Sequence, residues 1–391
     1  MKLLNLPIYL IAMFFLMACN EEKHEPLFSG EIPNAISQYT IENQPGAAVI
    51  HFELDDPRAK YVKAVYSVRE GLSREIRVSK FDNKLQVDGF GAAKEYSIAL
   101  YALSKDEQAS EPTYVTVHPE TPPFQMVANE LIADADWGGG KVSGPNPTSS
   151  KLMIGVLRKD ENGAWQEVDV FFTENQSFNF NFRGFDAVET QFGIYTRDQW
   201  QNYSDTIEFA FTPWEEIRIP LTNQNFNNIS LPGDVVHRNN YTISRLFDGL
   251  TDSWTNGFYT EDEPTWPKTI TFDLGDTYQL SRFKLFQNSN VYYRSANIKH
   301  LRIWGNTSLD ENYENWTLLG EWDNWRPSQR PPTEIELTED DRIAALAGND
   351  FDFPLEIPGV RYLRFEVLTT WEPRISWYAT ELQFWGRPTN E

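Results

Sequence analysis

Apolar and polar residues alternate in short runs along much of the chain, and no long amphipathic helical stripe interrupts them. Tyr96, Ile98 and Leu100 alternate with Ser97, Ala99 and Tyr101, the period of two that a half-buried strand requires. Val115 and Val117 continue it after a turn. Leu152 to Leu157 and Trp165 to Phe172 flank Asn162-Gly163, a hairpin signal because both turn positions need positive φ. Further on the alternation returns at Ile270, Phe272 and Leu274, at Phe283 and Leu285, at Leu301 and Ile303, at Leu363, Phe365 and Val367, and at Leu382 and Phe384. The pattern predicts an all-β chain of antiparallel sandwiches. Aromatic residues at 14% with frequent Gly and Pro agree with many short strands joined by turns.

The first half repeats itself. Tyr101-Ala102-Leu103, Ser110 and Pro119 recur 94 positions later as Tyr195-Thr196-Arg197, Ser204 and Pro213. Asp88-Gly89-Phe90 matches Arg183-Gly184-Phe185, and Gly46-Ala47-Ala48-Val49 matches Gly139-Gly140-Lys141-Val142 at nearly the same offset. Two copies of one domain are expected, over 31–120 and 121–213. A Tyr-bearing strand, a polar turn ending in Ser, a closing strand and then Pro resemble the fibronectin type III family. Neither Phe52 nor Gly144 supplies the tryptophan that family buries on an early strand, so the core must be filled otherwise. Thr121-Pro122-Pro123 and Thr212-Pro213 read as stiff connectors.

From Trp214 the composition shifts, and ten of the 13 tryptophans lie beyond that point. Leu246-Phe247-Asp248-Gly249, Phe272-Asp273-Leu274-Gly275, Arg361-Tyr362-Leu363-Arg364-Phe365 and Glu381-Leu382-Gln383-Phe384-Trp385-Gly386 follow in that order. This series resembles the discoidin, or factor 5/8 type C, family, which implies a galactose-binding-like jelly roll over 214–391. The resemblance also implies a possible structural calcium near the Asp-Gly turn and the final strand, with Asp248 and Glu381 as the matching carboxylates. Leu250 stands where that family often has Asn, and Asp252 could substitute. Asp248 could equally just cap its own turn.

Three segments between strand signals combine an aromatic with an arginine: Tyr292-Tyr293-Arg294, Trp322 to Arg326 with Trp325 at its tip, and Trp371 to Arg374. Flat rings that cover sugar C–H faces, with a few polar groups for the hydroxyls, make a glycan site. Tyr292, Tyr293, Arg294, Trp325, Trp371 and Arg374 are the expected ligand residues. Trp304 and Trp385, one residue off the inward positions, are expected to pack on neighbouring elements.

At the other end, Lys2 and an apolar stretch too short to span a membrane lead to Leu16-Met17-Ala18-Cys19, which resembles a lipobox. The reading is a leader over 1–18, lipidation at Cys19, and a tether over 19–30. Asn20-Glu21-Glu22 resembles the surface-export signal of Bacteroidetes-type lipoproteins, which places the protein on the outer membrane facing outward. Cys19 is the sole cysteine, so no disulfide framework is possible. A formal charge of −23 repels phosphate backbones and argues against nucleic acid as a partner. His24, His51, His118, His237 and His300 are too widely spaced for a zinc motif, and no nucleophile elbow or phosphate loop occurs. The whole chain resembles the three-part lipoproteins that accompany outer-membrane glycan-uptake systems. That implies a non-catalytic carbohydrate-binding protein, with an uptake porin and its partner lipoprotein as possible contacts. A protein-docking subunit and a carbohydrate-active enzyme are the alternatives.

Overall fold

The computed structural model describes residues 31–220, 229–252 and 255–389. The expected leader, Cys19 and the tether lie outside the described residues, as does Trp254. The strands in chain order are β1 (Gln38–Gln44), β2 (Ala47–Glu53), β3 (Ala59–Arg69), β4 (Leu72–Ser79), β5 (Lys84–Asp88), β6 (Tyr96–Ser104) and β7 (Thr113–Val117). There follow helix α1 (Pro123–Asn129), β8 (Ile132–Asp136), β9 (Gly139–Pro145), β10 (Leu152–Lys159), β11 (Trp165–Thr173), β12 (Ser177–Arg183), β13 (Thr190–Asp198) and β14 (Ile207–Phe211). The remainder comprises β15 (Ile217–Arg218), β16 (Phe258–Tyr259), β17 (Lys268–Phe286), β18 (Ile298–Asn306), β19 (Thr317–Asp323), helix α2 (Glu339–Ala347), β20 (Asn349–Asp352), β21 (Val360–Thr370), β22 (Tyr378–Ala379) and β23 (Glu381–Pro388). The protein is an all-β chain of sandwich sheets.

The chain divides into two compact units. One holds the described residues up to Leu131 with Ser143–Phe178 and Gly193–Glu208; the other holds Ile132–Val142, Asn179–Phe192 and the described residues from Phe209 onward. The division therefore runs through the second copy of the repeat.

In the first unit, sheets β1-β2-β5 and β4-β3-β6-β7 enclose one core. Tyr96, Ile98 and Leu100 point inward from β6, and Val115 and Val117 from β7. Phe52, Tyr66 and Phe90 fill the interior in place of a tryptophan. Pro122 is extended and stands at the N-cap of a short helix. Pro123 opens α1, because a proline at the first helical position loses no hydrogen bond and its φ already suits a helix. Phe124 and Val127 of that helix are buried, and the Thr196 hydroxyl donates to the Phe124 carbonyl at 2.6 Å. The hairpin β10–β11 forms around Asn162-Gly163, but only Gly163 takes positive φ, at 78°; Asn162 does not, because the turn starts at Asp160, whose carboxylate accepts from Asn162 and Ala164 N–H and whose carbonyl accepts from Gly163 N–H.

In the second unit, strand order β15-β23-β17-β21-β18-β19, with β20 also on β17, builds the jelly roll. Strand β17 serves two ladders: Lys268 to Asp273 pair with β21, and Tyr278 to Phe286 pair with β23. The break falls at Gly275, where φ is 88°. Ile270, Phe272, Leu274, Phe283, Leu285, Leu301, Ile303, Leu363, Phe365, Val367, Leu382 and Phe384 all belong to one buried cluster. Trp214 packs edge-on against Trp137 at 5.5 Å and exchanges backbone hydrogen bonds with Asp136 and Gly138, so it joins the β8–β9 turn. Trp385 lies under the Arg282 guanidinium at 3.9 Å, and Trp304 meets Tyr313 edge-on at 5.1 Å. Among the described residues, no helix is long and apolar enough to cross a membrane.

Candidate functional site

The loops 287–297, 324–338 and 371–377 follow or precede the same ends of β17, β18, β19 and β21, and the structure gives their aromatic residues different roles. Tyr292 and Tyr293 are buried. They form a small cluster with Ala345 of α2, joined by Leu337 and Trp371. The loop is stapled from inside: Asn297 accepts from Asn288 N–H and donates to the Val291 carbonyl, each at 2.8 Å. Gln287 accepts from Tyr293 N–H at 2.8 Å. Tyr293 has φ 56°, a conformation a bulky side chain keeps only where its surroundings hold it. The two tyrosines are thus turned inward and offer no open face, which corrects the expectation that they form a platform. Burial pushes both phenols up.

Arg294 and Arg374 come together on one carboxylate, Glu372, at 3.4 and 2.8 Å. Burial would raise the Glu372 pKa, but the hydrogen bonds it accepts from Arg374 and from the Ser295 backbone N–H leave it below the ordinary value. Trp371 is half-buried. Its ring meets Tyr293 edge-on at 5.4 Å and carries the Lys299 ammonium 4.1 Å from its centroid, while its buried Nε1 has no partner.

Trp325 is the exception. It is 61% exposed, the only exposed tryptophan among the described residues. Both its neighbours are buried. Asn324 N–H donates to the Lys299 carbonyl at 2.7 Å, its side chain donates to the Ile298 carbonyl at 3.0 Å, and Lys299 Nζ donates to the Asn324 carbonyl at 3.1 Å. Arg326 Nε donates to Asp341 at 2.7 Å, and its terminal nitrogens donate to the carbonyls of Pro331, Glu334 and Glu336. Asp341 also accepts from Ser328 N–H and hydroxyl and from Thr338 N–H, closing the cap of α2. Burial would raise the Asp341 pKa; these donors outweigh it and hold the group down to about 2. Trp325 is therefore fixed between two anchors with its ring in solvent. Sequence reasoning named it, but nothing in the sequence distinguished it from its five companions.

The expected calcium residues part company. Glu381 is buried at a pocket of about 370 Å³ that Phe247, Asp248, Arg218 and Gln383 also line. It accepts from Gly249 N–H at 3.1 Å, and Arg218 stands 3.7 Å away. Burial first, then the nearby Asp248 charge, pushes Glu381 up to about 7. Asp248 accepts from Leu250 N–H and from the Asn256 amide, so both its oxygens are engaged within its own turn. Asp252 is exposed and does not line the pocket. Among the described residues, no three His, Cys, Asp or Glu side chains gather as a metal site, which corrects the three-carboxylate set.

Three family models match the chain. All are domains of unknown function: DUF4959 over residues 33–119, DUF5126 over 120–222 and DUF5000 over 247–386. No curated protein matches. Among solved structures, the chain is similar to a SusE-like protein at 28% identity, covering 68% of this chain and 100% of that one with a TM-score of 0.43. It is also similar to a CBM32 module of a family 31 glycoside hydrolase from Clostridium perfringens at 18% identity, covering 39% and 90% with a TM-score of 0.28. A two-domain fibronectin type III segment of chicken tenascin matches at 13% identity, covering 45% and 98% with a TM-score of 0.22.

Proposed function

We propose that the chain is a non-catalytic carbohydrate-binding lipoprotein, held to the outer membrane through Cys19 and facing the cell exterior, where it assists polysaccharide capture. Residues 31–120 and 121–213 act as spacer domains, and the module over 214–391 meets the glycan. The observation that carries this reading is Trp325: a solvent-facing indole on a stretch of chain held between two buried residues. A loop that must order on binding loses entropy, whereas the chain that presents this ring is already held. Its face can cover a pyranose C–H surface, and Arg374 of the 371–377 loop is a donor for hydroxyls.

A single stacking face gives weak affinity, on the order of millimolar, and many tethered copies gain by avidity. The test is a glycan-array screen of the purified chain followed by titration of Trp325→Ala with the best ligand. The variant is expected to lose roughly 1–3 kcal/mol of binding free energy, with stability changed by less than about 0.5 kcal/mol. Binding that survives the substitution unchanged removes Trp325 from the site.

A further inference from the structure

On a sandwich sheet the outward positions are ordinarily polar. The outward face of sheet β11-β10-β13 is not. Leu152, Ile154 and Val156 of β10 point one way, Met153 and Gly155 point the other, and all five are buried. Opposite them on β11 stand Phe172 and Val170, in register with Met153 and Gly155 respectively. Phe172 is 76% exposed.

Two glycines make room for rings on this face. A Cβ on Gly155 would lie 2.3 Å from the Tyr195 ring, and one on Gly193 would lie 3.0 Å from the Trp165 ring and 2.6 Å from the Thr206 methyl. The Tyr195 ring thus lies directly on the β10 backbone, and its hydroxyl reaches Glu167 on β11. Burial, then that hydrogen bond, raises the Tyr195 pKa, so the phenol keeps its proton. Tyr203, exposed, lies 5.7 Å from Tyr195.

At the Phe172 end the sheet opens into a groove of about 460 Å³. Met153 and Phe172 form its apolar side, and Lys151, Thr173, Glu174, Arg197, Gln199 and Gln201 supply a polar rim. Arg197 is fixed by donating to the Gln201 side chain at 3.0 Å and to the Tyr203 hydroxyl at 3.3 Å. The rim charges cancel. Lys151 and Glu174 are 4.0 Å apart, and Arg197 is followed by Asp198, whose carboxylate is engaged by Trp200 and Asn202 N–H.

We propose that this groove is a second carbohydrate site, independent of the C-terminal loops, and that it takes a neutral oligosaccharide. An exposed ring beside apolar side chains suits the C–H face of a sugar, and amide, hydroxyl and guanidinium groups at its border suit the hydroxyls. Balanced rim charge gives no gain from an acidic ligand over a neutral one.

The experiment uses the purified full chain carrying Trp325→Ala, so that the C-terminal site is disabled while the groove is untouched. Maltohexaose, cellohexaose, xylohexaose and mannohexaose are titrated separately, with trigalacturonate as the acidic comparator. At least one neutral hexaose is expected to bind with one site per chain. Adding Phe172→Ala should weaken it tenfold or more with an unchanged melting transition, and Phe172→Trp should retain it. Four results overturn the proposal: no neutral hexaose bound, affinity indifferent to Phe172→Ala, preference for trigalacturonate, or a Phe172→Ala effect on self-association in sedimentation without one on glycan. Since Trp325→Ala alone tests the C-terminal site, either reading can fail without the other.

Discussion

Two segments of the jelly roll look alike in sequence and are built in opposite senses. In Tyr292-Tyr293-Arg294 the rings go in and the guanidinium stays at the surface on Glu372; in Trp325-Arg326 the guanidinium goes in and the ring stays out. The difference lies in what each can find inside. Arg326 reaches one carboxylate and three backbone carbonyls, which satisfies a buried cation. Around Tyr293 the nearest elements offer Ala345, Leu337 and the edge of Trp371, which suit a ring. An aromatic beside an arginine is therefore no sign of an open platform; the partner set of the arginine decides which of the two is exposed.

The strongest way to break this contrast is Arg326→Met. The substitution leaves Asp341 buried beside unpaired carbonyls, and it should cost about 3–5 kcal/mol of stability in denaturant titration. Asp341 gives an independent reading of the same pair. Its folded pKa, about 2, lies below the unfolded value of about 3.9, so its contribution is present above pH about 4 and fades as pH falls toward 2. Arg326→Met should shrink that acid limb. A variant as stable as the parent, with the limb intact, would show that the loop holds Trp325 by other means.

Tyr293→Ala probes the other half. A ring with no exposed surface leaves a cavity, so a loss of roughly 3 kcal/mol in the melting transition is expected, with glycan affinity per folded molecule unchanged. If affinity falls while stability holds, the ring touches ligand after all and the inward placement is not the binding state.

The strands themselves were legible, because a buried position every second residue is a local signal that one sequence displays in full. Ile270 to Leu274 and Leu363 to Val367 were read as inward and are inward. The Gly163 turn was legible for the same reason: positive φ is a demand on the residue itself. The loops were not. The partners of Arg326 lie 5 to 15 residues away and are mostly backbone carbonyls, which every residue has, so no side-chain pattern announces them. Helix α2, whose Ala345 receives the tyrosines, is nine residues long and too short for a periodic pattern to stand out. The strand pattern reads Phe172 as an ordinary strand residue; its exposure depends on what packs beside it in the assembled sheet, which no local pattern displays.

Trp371 stands between the two cases, and the smallest expected effect decides its role. Its ring is half-buried, with Tyr293 at one edge and the Lys299 ammonium over its face, so its free surface is partly taken by the protein itself. Lys299→Met keeps the aliphatic stem and removes the charge. The cation–π contact at a partly exposed site is worth about 0.5–1 kcal/mol, so a double-mutant cycle with Trp371→Leu should give a coupling of that size in stability. The lost bond from Lys299 to the Asn324 carbonyl should add little, since Asn324 keeps its two bonds to the Lys299 and Ile298 carbonyls. Glycan affinity should then change by less than about twofold, because Trp325 keeps its anchors and a change below about 0.4 kcal/mol is all that remains for the ligand to sense. A several-fold gain in affinity would sharpen the picture in the other direction: Lys299 would be covering a sugar-binding face on Trp371, and the loop aromatics would form two platforms in place of one.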